Sequence, residues 1–296
     1  MKRILFPALC ALMFTAAYAA EPQSIDMDVR VVTCNVRYMS ANDGGNSWDF
    51  RKERLAAALK GLNADVIGTQ EAVNGQKKFL NRRLKGYKVV GVGREDGKKK
   101  GEHSAIFYNK KRFKALDCGN FWLSETPDKP SLGWDAACIR IATWAFLEEK
   151  STGKKFFFVN THLDHVGITA RHEGVSLLIR KAHEIGGGCP MVITGDFNIY
   201  NDSEEITRIK EMGLTHVYDI AAEKKTQKCT WHGYEDMDQH VINASRSNGR
   251  DIPAPQIIDY ILINEGSCSY YEIMPPKAAD GGYLSDHCPV FADITL

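Results

Sequence analysis

The amino-acid sequence predicts an α/β fold in which strands and helices stack in layers around one core. Three observations carry that expectation. Short apolar runs rich in Val, Ile, Phe and Tyr recur along the chain and stop at turn residues. Between some of them lie stretches with apolar residues three and four apart. No low-complexity linker separates two halves, so one layered domain over residues 21–296 is the most economical arrangement.

In chain order, strands are expected in VRVVTCNVRYM (29–39), ADVIGTQEA (64–72), YKVVGVG (87–93), HSAIFYNKKRF (103–113) and IRIATWAFLEE (139–149). Further strands are expected in KKFFFVNTHL (154–163), MVITGDFN (191–198), IDYILIN (258–264), SYYEIM (269–274) and PVFADITL (289–296). Ser151-Thr152-Gly153 supplies the turn of a hairpin joining two of them. Helices are expected over 48–65, where Leu55, Leu59 and Leu62 repeat at helical spacing, over 74–86 with Phe79, Leu80 and Leu84, and over 169–188, which stops on a glycine run. Another should follow Asp202-Ser203.

Composition narrows the function classes. Thirty-eight basic against thirty-seven acidic residues leave a net charge of +1, so no global basic field draws in nucleic acid or an anionic membrane. Residues 1–20 begin with Lys2 and Arg3, continue through a short apolar run and end near Ala17-Tyr18-Ala19, the pattern of a secretory signal peptide. The mature chain is therefore expected to be exported, periplasmic or extracellular, with no stable membrane insertion. Setting Cys10 aside leaves seven cysteines without a C-x-x-C pair, which argues against a zinc cluster and a dense disulfide framework.

Polar residues gather where the apolar runs end. These are Asn35, Glu71, His162 with Asp164, Asp196 with Asn198, Asp259, and Asp286 with His287. Each has an ordinary reading alone; Asp196-Phe197-Asn198, for instance, could be an Asx turn. Six such tips carrying only carboxylates, amides and histidines predict a shared rim. Carboxylates and an amide without thiolate suit a hard cation, Mg²⁺ or Mn²⁺, and such an ion usually serves phosphate chemistry. Asp286-His287 with Asp259 has the composition of an acid/base or phosphate-clamping histidine oriented by a carboxylate. Strand alternation should turn Asp196 and Asn198 to one side and Phe197 to the other.

These motifs, in the order VVTCNVRY, GTQEA, THLDH, GDFN, IDYILIN and SDHCPV, resemble the endonuclease/exonuclease/phosphatase superfamily. That group includes pancreatic deoxyribonuclease, apurinic endonucleases, neutral sphingomyelinases, inositol polyphosphate 5-phosphatases and deadenylases. GEHSAIFYNKKRF, FWLSETPD, GWDAACIRIATWA and NTHLDHVG are similar to its exported bacterial branch. The resemblance implies a four-layer α-β-β-α sandwich with two packed mixed β-sheets and a site at one rim. It implies Glu71 as principal metal ligand with Asn35 and Asp286 nearby, Asp196 managing the attacking water and Asn198 holding a phosphate oxygen. His287 would contact the scissile phosphate, fixed by Asp259, and His162 would serve as proton donor or phosphate ligand. The implied reaction is in-line displacement at phosphorus with inversion.

The expected substrate is a phosphodiester or a phosphomonoester, with a nucleic acid or nucleotide first and a sugar, inositol or lipid phosphate as the alternative; a catalytically silent binding module that keeps the fold is the reading from another class. Arg140, Asp164 and Trp144 are the candidate substrate contacts, and the lysine-rich stretch 93–103, His103 and Asp135 are further candidates at the rim. A monomer is expected.

Overall fold

The computed structural model describes residues 26–296, so the expected signal peptide lies outside the described residues. Strands β1 (Asp28–Asn35), β2 (Val66–Val73), β3 (Tyr87–Val90), β4 (Glu102–Asn109), β5 (Phe113–Trp122), β6 (Ile141–Glu149) and β7 (Lys155–His162) form the first part of the chain. Then come β8 (Met191–Asp196), β9 (Thr215–His216), β10 (Ala221–Lys225), β11 (Asp259–Ile263), β12 (Ser267–Ile273) and β13 (Val290–Thr295). Interleaved are α1 (Trp48–Gly61), α2 (Asn74–Arg83), α3 (Ile168–Gly186), α4 (Glu204–Glu211), α5 (Val217–Ile220) and α6 (Met237–Ser247).

The strands make two mixed sheets. One has the order β10-β12-β13-β1-β2-β4-β3 and the other β5-β6-β7-β8-β11-β9. Alternation along β1 explains the layering: Val29 and Val31 enter the core between the sheets, while Val32 and Cys34 face a second core. That second core is closed by Leu55 and Leu59 of α1 and Leu80 of α2. Val175, Leu178 and Ile179 of α3, with Ile206 and Ile209 of α4, cover the other sheet. The result is the four-layer sandwich with two packed mixed sheets that the family resemblance implies.

Most expected elements are present, and the hairpin at Gly153, with φ of 75°, joins β6 to antiparallel β7. The helix α3 ends on left-handed Gly187, where a side chain would be strained. The elements not anticipated are β5, β9, β10, α5 and α6. β5 is an edge strand with polar Asp117 and Asn120 and a register shift between Ala115 and Asp117, which blurs its alternation. All seven cysteines among the described residues are free thiols, and Cys34, Cys229, Cys268 and Cys288 are buried.

The core turns polar toward one end. Gln70 Nε2 donates to Asn160 Oδ1 at 2.7 Å and to Thr33 Oγ1 at 3.1 Å, and Asn160 Nδ2 donates to the carbonyls of Thr69 and Ala105. Gly68 lets the sheets approach there: a Cβ on it would strike Thr194 Oγ1 and lie 2.6 Å from Asn160 Oδ1. Directly beyond this layer, the parallel pairs β1/β2 and β7/β8 reach their C-terminal ends.

Candidate active site

Those ends deliver Glu71, His162 and Asp196 to one cleft of about 680 Å³, with Asn35 buried just behind it, and Asn198, Asp286 and His287 join its floor and walls. Asp259, opposite Asp196 across the antiparallel β8/β11 ladder, supports it from beneath. Asn35 is fully buried and bridges two carboxylates: its Nδ2 donates to Glu71 Oε1 and to Asp196 Oδ2, each at 2.9 Å. Its Oδ1 accepts the Arg37 N–H at 2.9 Å. Glu71 Oε2 accepts the Tyr38 N–H at 2.7 Å.

Glu71 reaches this position because β2 bulges between Thr69 and Ala72 and Glu71 adopts a left-handed φ of 61°. Arg37 and Asn198 are also left-handed, at 55° and 51°. Left-handed non-glycine residues are uncommon and concentrate where surrounding structure over-determines the backbone, as at functional sites. Asn198 therefore faces the cleft through a turn, its N–H bonded to Asp196 Oδ1 at 3.0 Å, and strand alternation does not extend to it because β8 ends at Asp196. Phe197 does turn into the core, against Tyr260.

Two histidines stand in opposite electrostatic states. His287 Nδ1 lies 2.9 Å from Asp259 Oδ2 and its Nε2 lies 3.7 Å from Asp196 Oδ2. Burial alone would depress His287, but Asp259 and Asp196 outweigh it and raise it to about 10, so it is an imidazolium at neutral pH. His162 is pushed well below its ordinary value by burial, reinforced by Arg140 and Arg94. It is neutral, with Nε2 3.1 Å from Asn198 Nδ2 and 3.4 Å from Asp196 Oδ2. Burial and the neighbouring Asp259 raise Asp196 to about 7.

Asp286 lies 3.5 Å from Arg37 Nη1 and accepts from Ser285 Oγ. Buried Arg51 ties the surrounding loops together by donating to the carbonyls of Asn46, Arg37 and Leu284.

Four sequence candidates fall elsewhere. Trp144 lies outside the cleft because β6 directs it to the sheet face that carries Phe157, whose ring centroid is 5.6 Å away. Asp164 is buried and turned inward: its oxygens accept the N–H groups of Ala137, Cys138, Val166 and Gly167 and the Arg140 Nε, so it organises two loops and has no capacity left for substrate. Asp135 binds the N–H groups of Thr169 and Ala170 at the start of α3. His103 is fully buried on β4, whereas Arg140 lines the cleft. The lysine-rich stretch contributes Arg94, paired with Glu102 at 2.8 Å, while Lys98, Lys99 and Lys100 present their N–H groups to Asp96.

Residues that the sequence did not single out complete the walls: Arg37, Tyr38, Arg171, Trp231 and Arg250. Trp231, like Tyr38 an exposed aromatic of the cleft, is bridged in antiparallel register to His287 and set edge-on to His240 at 4.8 Å. Its proximity to the histidine pair depends on a single β-bridge between distant segments, for which TWHGYE carries no periodic signal.

A sandwich with this donor set at its rim is the architecture of a phosphoester hydrolase. The chain belongs to the Endonuclease/Exonuclease/phosphatase family, whose sequence profile matches residues 32–287. It is 37% identical to an endonuclease/exonuclease/phosphatase of Bacteroides vulgatus, with a TM-score of 0.80 and coverage of 91% of this chain and 99% of that one. It is 32% identical to a mannosyl-6-phosphatase of Bacteroides thetaiotaomicron, with a TM-score of 0.80 over 90% of this chain and all of the other. The human nocturnin catalytic domain, at 19% identity and a TM-score of 0.65 over 90% of this chain and 93% of that one, shares the fold. Among sequence relatives, Protein angel of Drosophila melanogaster is 25% identical over 234 residues, 77% of this chain. The chain spans about six tenths of the length of the curated relatives it matches, 62% and 59%.

Proposed function

We propose that the chain is a divalent-metal-dependent phosphoesterase that hydrolyses a small phosphate ester, with a sugar phosphate as the favoured class. The observation that carries this reading is the convergence of Glu71, Asp196, Asp286 and the Asp259–His287 pair on one compact cleft. A hard cation fits the donor set: carboxylates dominate it, and burial of Asp196 beside Asp259 leaves Asp196 raised to about 7, a charge burden that a divalent ion relieves. Glu71 and Asp286 would hold the ion. Glu71, Asp196 and His287 offer atoms within 4.8 Å of one another, but an imidazolium has no lone pair to give, which leaves His287 for the substrate. When bound, Mg²⁺ or Mn²⁺ supplies Lewis-acid polarisation of a phosphoryl oxygen.

The protein's own groups perform the remaining work. Asp196 orients and deprotonates a water for in-line attack, with a proton affinity raised to about 7. His287 places positive charge and a proton against the phosphoryl oxygens, and Asp259 fixes its ring through Nδ1. Asn198 and neutral His162 grip a further oxygen. Asn35 spaces Glu71 from Asp196 by donating one amide hydrogen to each.

A cleft of about 680 Å³ matches a small-molecule ligand. The near-neutral net charge disfavours tracking along a polyanion, and the relative of 32% identity is named for a phosphorylated sugar. Export through a leader at residues 1–20 belongs to the same reading, and the leader's absence from the N-terminus of the recovered mature protein is its check.

The test is turnover of hexose phosphates, p-nitrophenyl phosphate, bis-p-nitrophenyl phosphate, single-stranded DNA and RNA, sphingomyelin and inositol phosphates with Mg²⁺, Mn²⁺ or EDTA. Metal-dependent turnover that Glu71→Ala and His287→Ala both abolish supports the reading. Equal turnover in EDTA sinks it, and a preference for DNA or RNA replaces the sugar phosphate with a nuclease substrate.

A further inference from the structure

Five arginines line the catalytic cleft, and their counter-charges differ. Arg37 is paired with Asp43, Arg94 with Glu102, Arg140 with Asp164 and Arg250 with Asp202. Arg171, in the first turn of α3, has no carboxylate within ion-pair distance among the described residues; its Nη1 donates to the backbone carbonyl of Asp164 at 3.1 Å. The nearby charges do not cancel it. Asp164 already accepts four backbone N–H groups and the Arg140 Nε, and Arg140 Nη2 meets His165 Nδ1 at 2.9 Å.

Arg140 is itself 4% exposed, so its guanidinium is held by the fold and not by solvent. Two guanidiniums therefore stand at the cleft wall, Arg140 on the saturated carboxylate of Asp164 and Arg171 on that residue's backbone carbonyl, with the exposed His165 beside them. Cys138, Asp164 and His165 offer atoms within 4.8 Å of one another, but Arg140 engages both the carboxylate and the imidazole, so the cluster is set up for an anion and not a metal.

We propose that Arg171, with Arg140 and His165, binds a second anionic group of the substrate, apart from the phosphate under attack. Resting on the phosphoesterase reading, this narrows the substrate to phosphate esters whose leaving group carries a further phosphate, carboxylate or sulfate. A planar guanidinium with free donors suits such an oxyanion, and the charge-assisted bonds favour it over a hydroxyl at the same place.

Calorimetry on the full chain in EDTA separates this station from turnover. Glucose 1,6-bisphosphate and glucose 6-phosphate are the probes. The wild type should bind the bisphosphate about tenfold or more tightly, and Arg171→Gln should bring that ratio close to one. Arg82→Gln, an exposed arginine of α2 outside the cleft, should keep the wild-type ratio. His165→Asn provides the second variant should Arg171→Gln fail to fold, with a reduced ratio expected.

Equal wild-type affinities, or a ratio that survives Arg171→Gln, overturn the proposal. An equal loss for both sugars also overturns it, by putting Arg171 on the scissile phosphate. Because the ratio is read without metal, absence of turnover in the Mg²⁺ assay would sink the phosphoesterase reading while leaving the anion station standing.

Discussion

Asp196 Oδ2 is approached by side chains from three directions: Asn35 Nδ2 at 2.9 Å, His162 Nε2 at 3.4 Å and His287 Nε2 at 3.7 Å. One oxygen thus senses the metal-side carboxylates through Asn35 and the phosphate-side imidazoles directly. Asp259 anchors His287 and also bears on Asp196 through its charge, so Asp259→Asn should preserve folding while removing the ring's anchor and that charge. The expected outcome is a fall in kcat of roughly 10²- to 10⁴-fold with an unchanged melting temperature. A loss of stability in proportion to activity would make the residue merely structural. At this scale the sequence revealed residue types well, since carboxylates and histidines at strand ends are visible as such. It did not reveal backbone handedness: nothing in VIGTQE says that Glu71 adopts φ of 61°, and Asn198 reaches the cleft by a left-handed turn where a strand was expected. Nor did it show that the oxygens of Asp164 would be consumed by N–H groups of two loops.

Among the elements, the parallel pairs β1/β2 and β7/β8 matter most, because the C-terminal ends of both pairs open on the same rim. Their meeting depends on Gly68, whose missing side chain admits Thr194 and Asn160 from the opposite sheet. Gly68→Ala should cost about 1–3 kcal/mol, read as a lower urea midpoint with little change in slope, because the added methyl displaces hydrogen-bonded polar groups in a close-packed layer. An unchanged midpoint would show that the sheets yield freely there. Strands with clear alternation or continuous apolar runs, such as β7 and β8, were legible. β5 was not, since its middle is exposed and polar, and α6 was not, because its buried contacts reduce to His240 and Ala244. The tryptophan of the cleft escapes the sequence for a related reason. Trp144 sits on a strand, where alternation fixes it against Phe157, whereas Trp231 lies between elements and is placed by a long-range bridge to His287.

Across the whole molecule, acid sensitivity is set by imidazoles far from the rim as well as at it. His216, enclosed by Tyr218, Tyr260 and Tyr271, is pushed down to about 3 by burial, and His232 likewise to about 3. The unfolded chain, with histidines near 6.5, binds these protons first, so the contribution of these two residues is full above about pH 6.5 and is lost as the pH drops toward 3. His216 should account for about 2 kcal/mol of the loss between pH 7 and pH 5, measured by denaturant unfolding, and His216→Phe should flatten that part of the profile. A profile unchanged by the substitution would assign the acid sensitivity to other groups. Metal binding acts in the opposite direction: Mg²⁺ at a hundred times its dissociation constant should raise the unfolding free energy by about 2.7 kcal/mol, an increment that Glu71→Ala removes. The free thiols carry one more consequence. Cys34 and Cys268 lie in β1 and β12 of the larger sheet, and Cys288 stands just before its β13, all shielded from solvent, while Cys118 on the other sheet is exposed. Alkylating reagents will therefore mark Cys118 at once and the other three only as the larger sheet breathes, which gives the protein native chemical timers for its opening without a single engineered label.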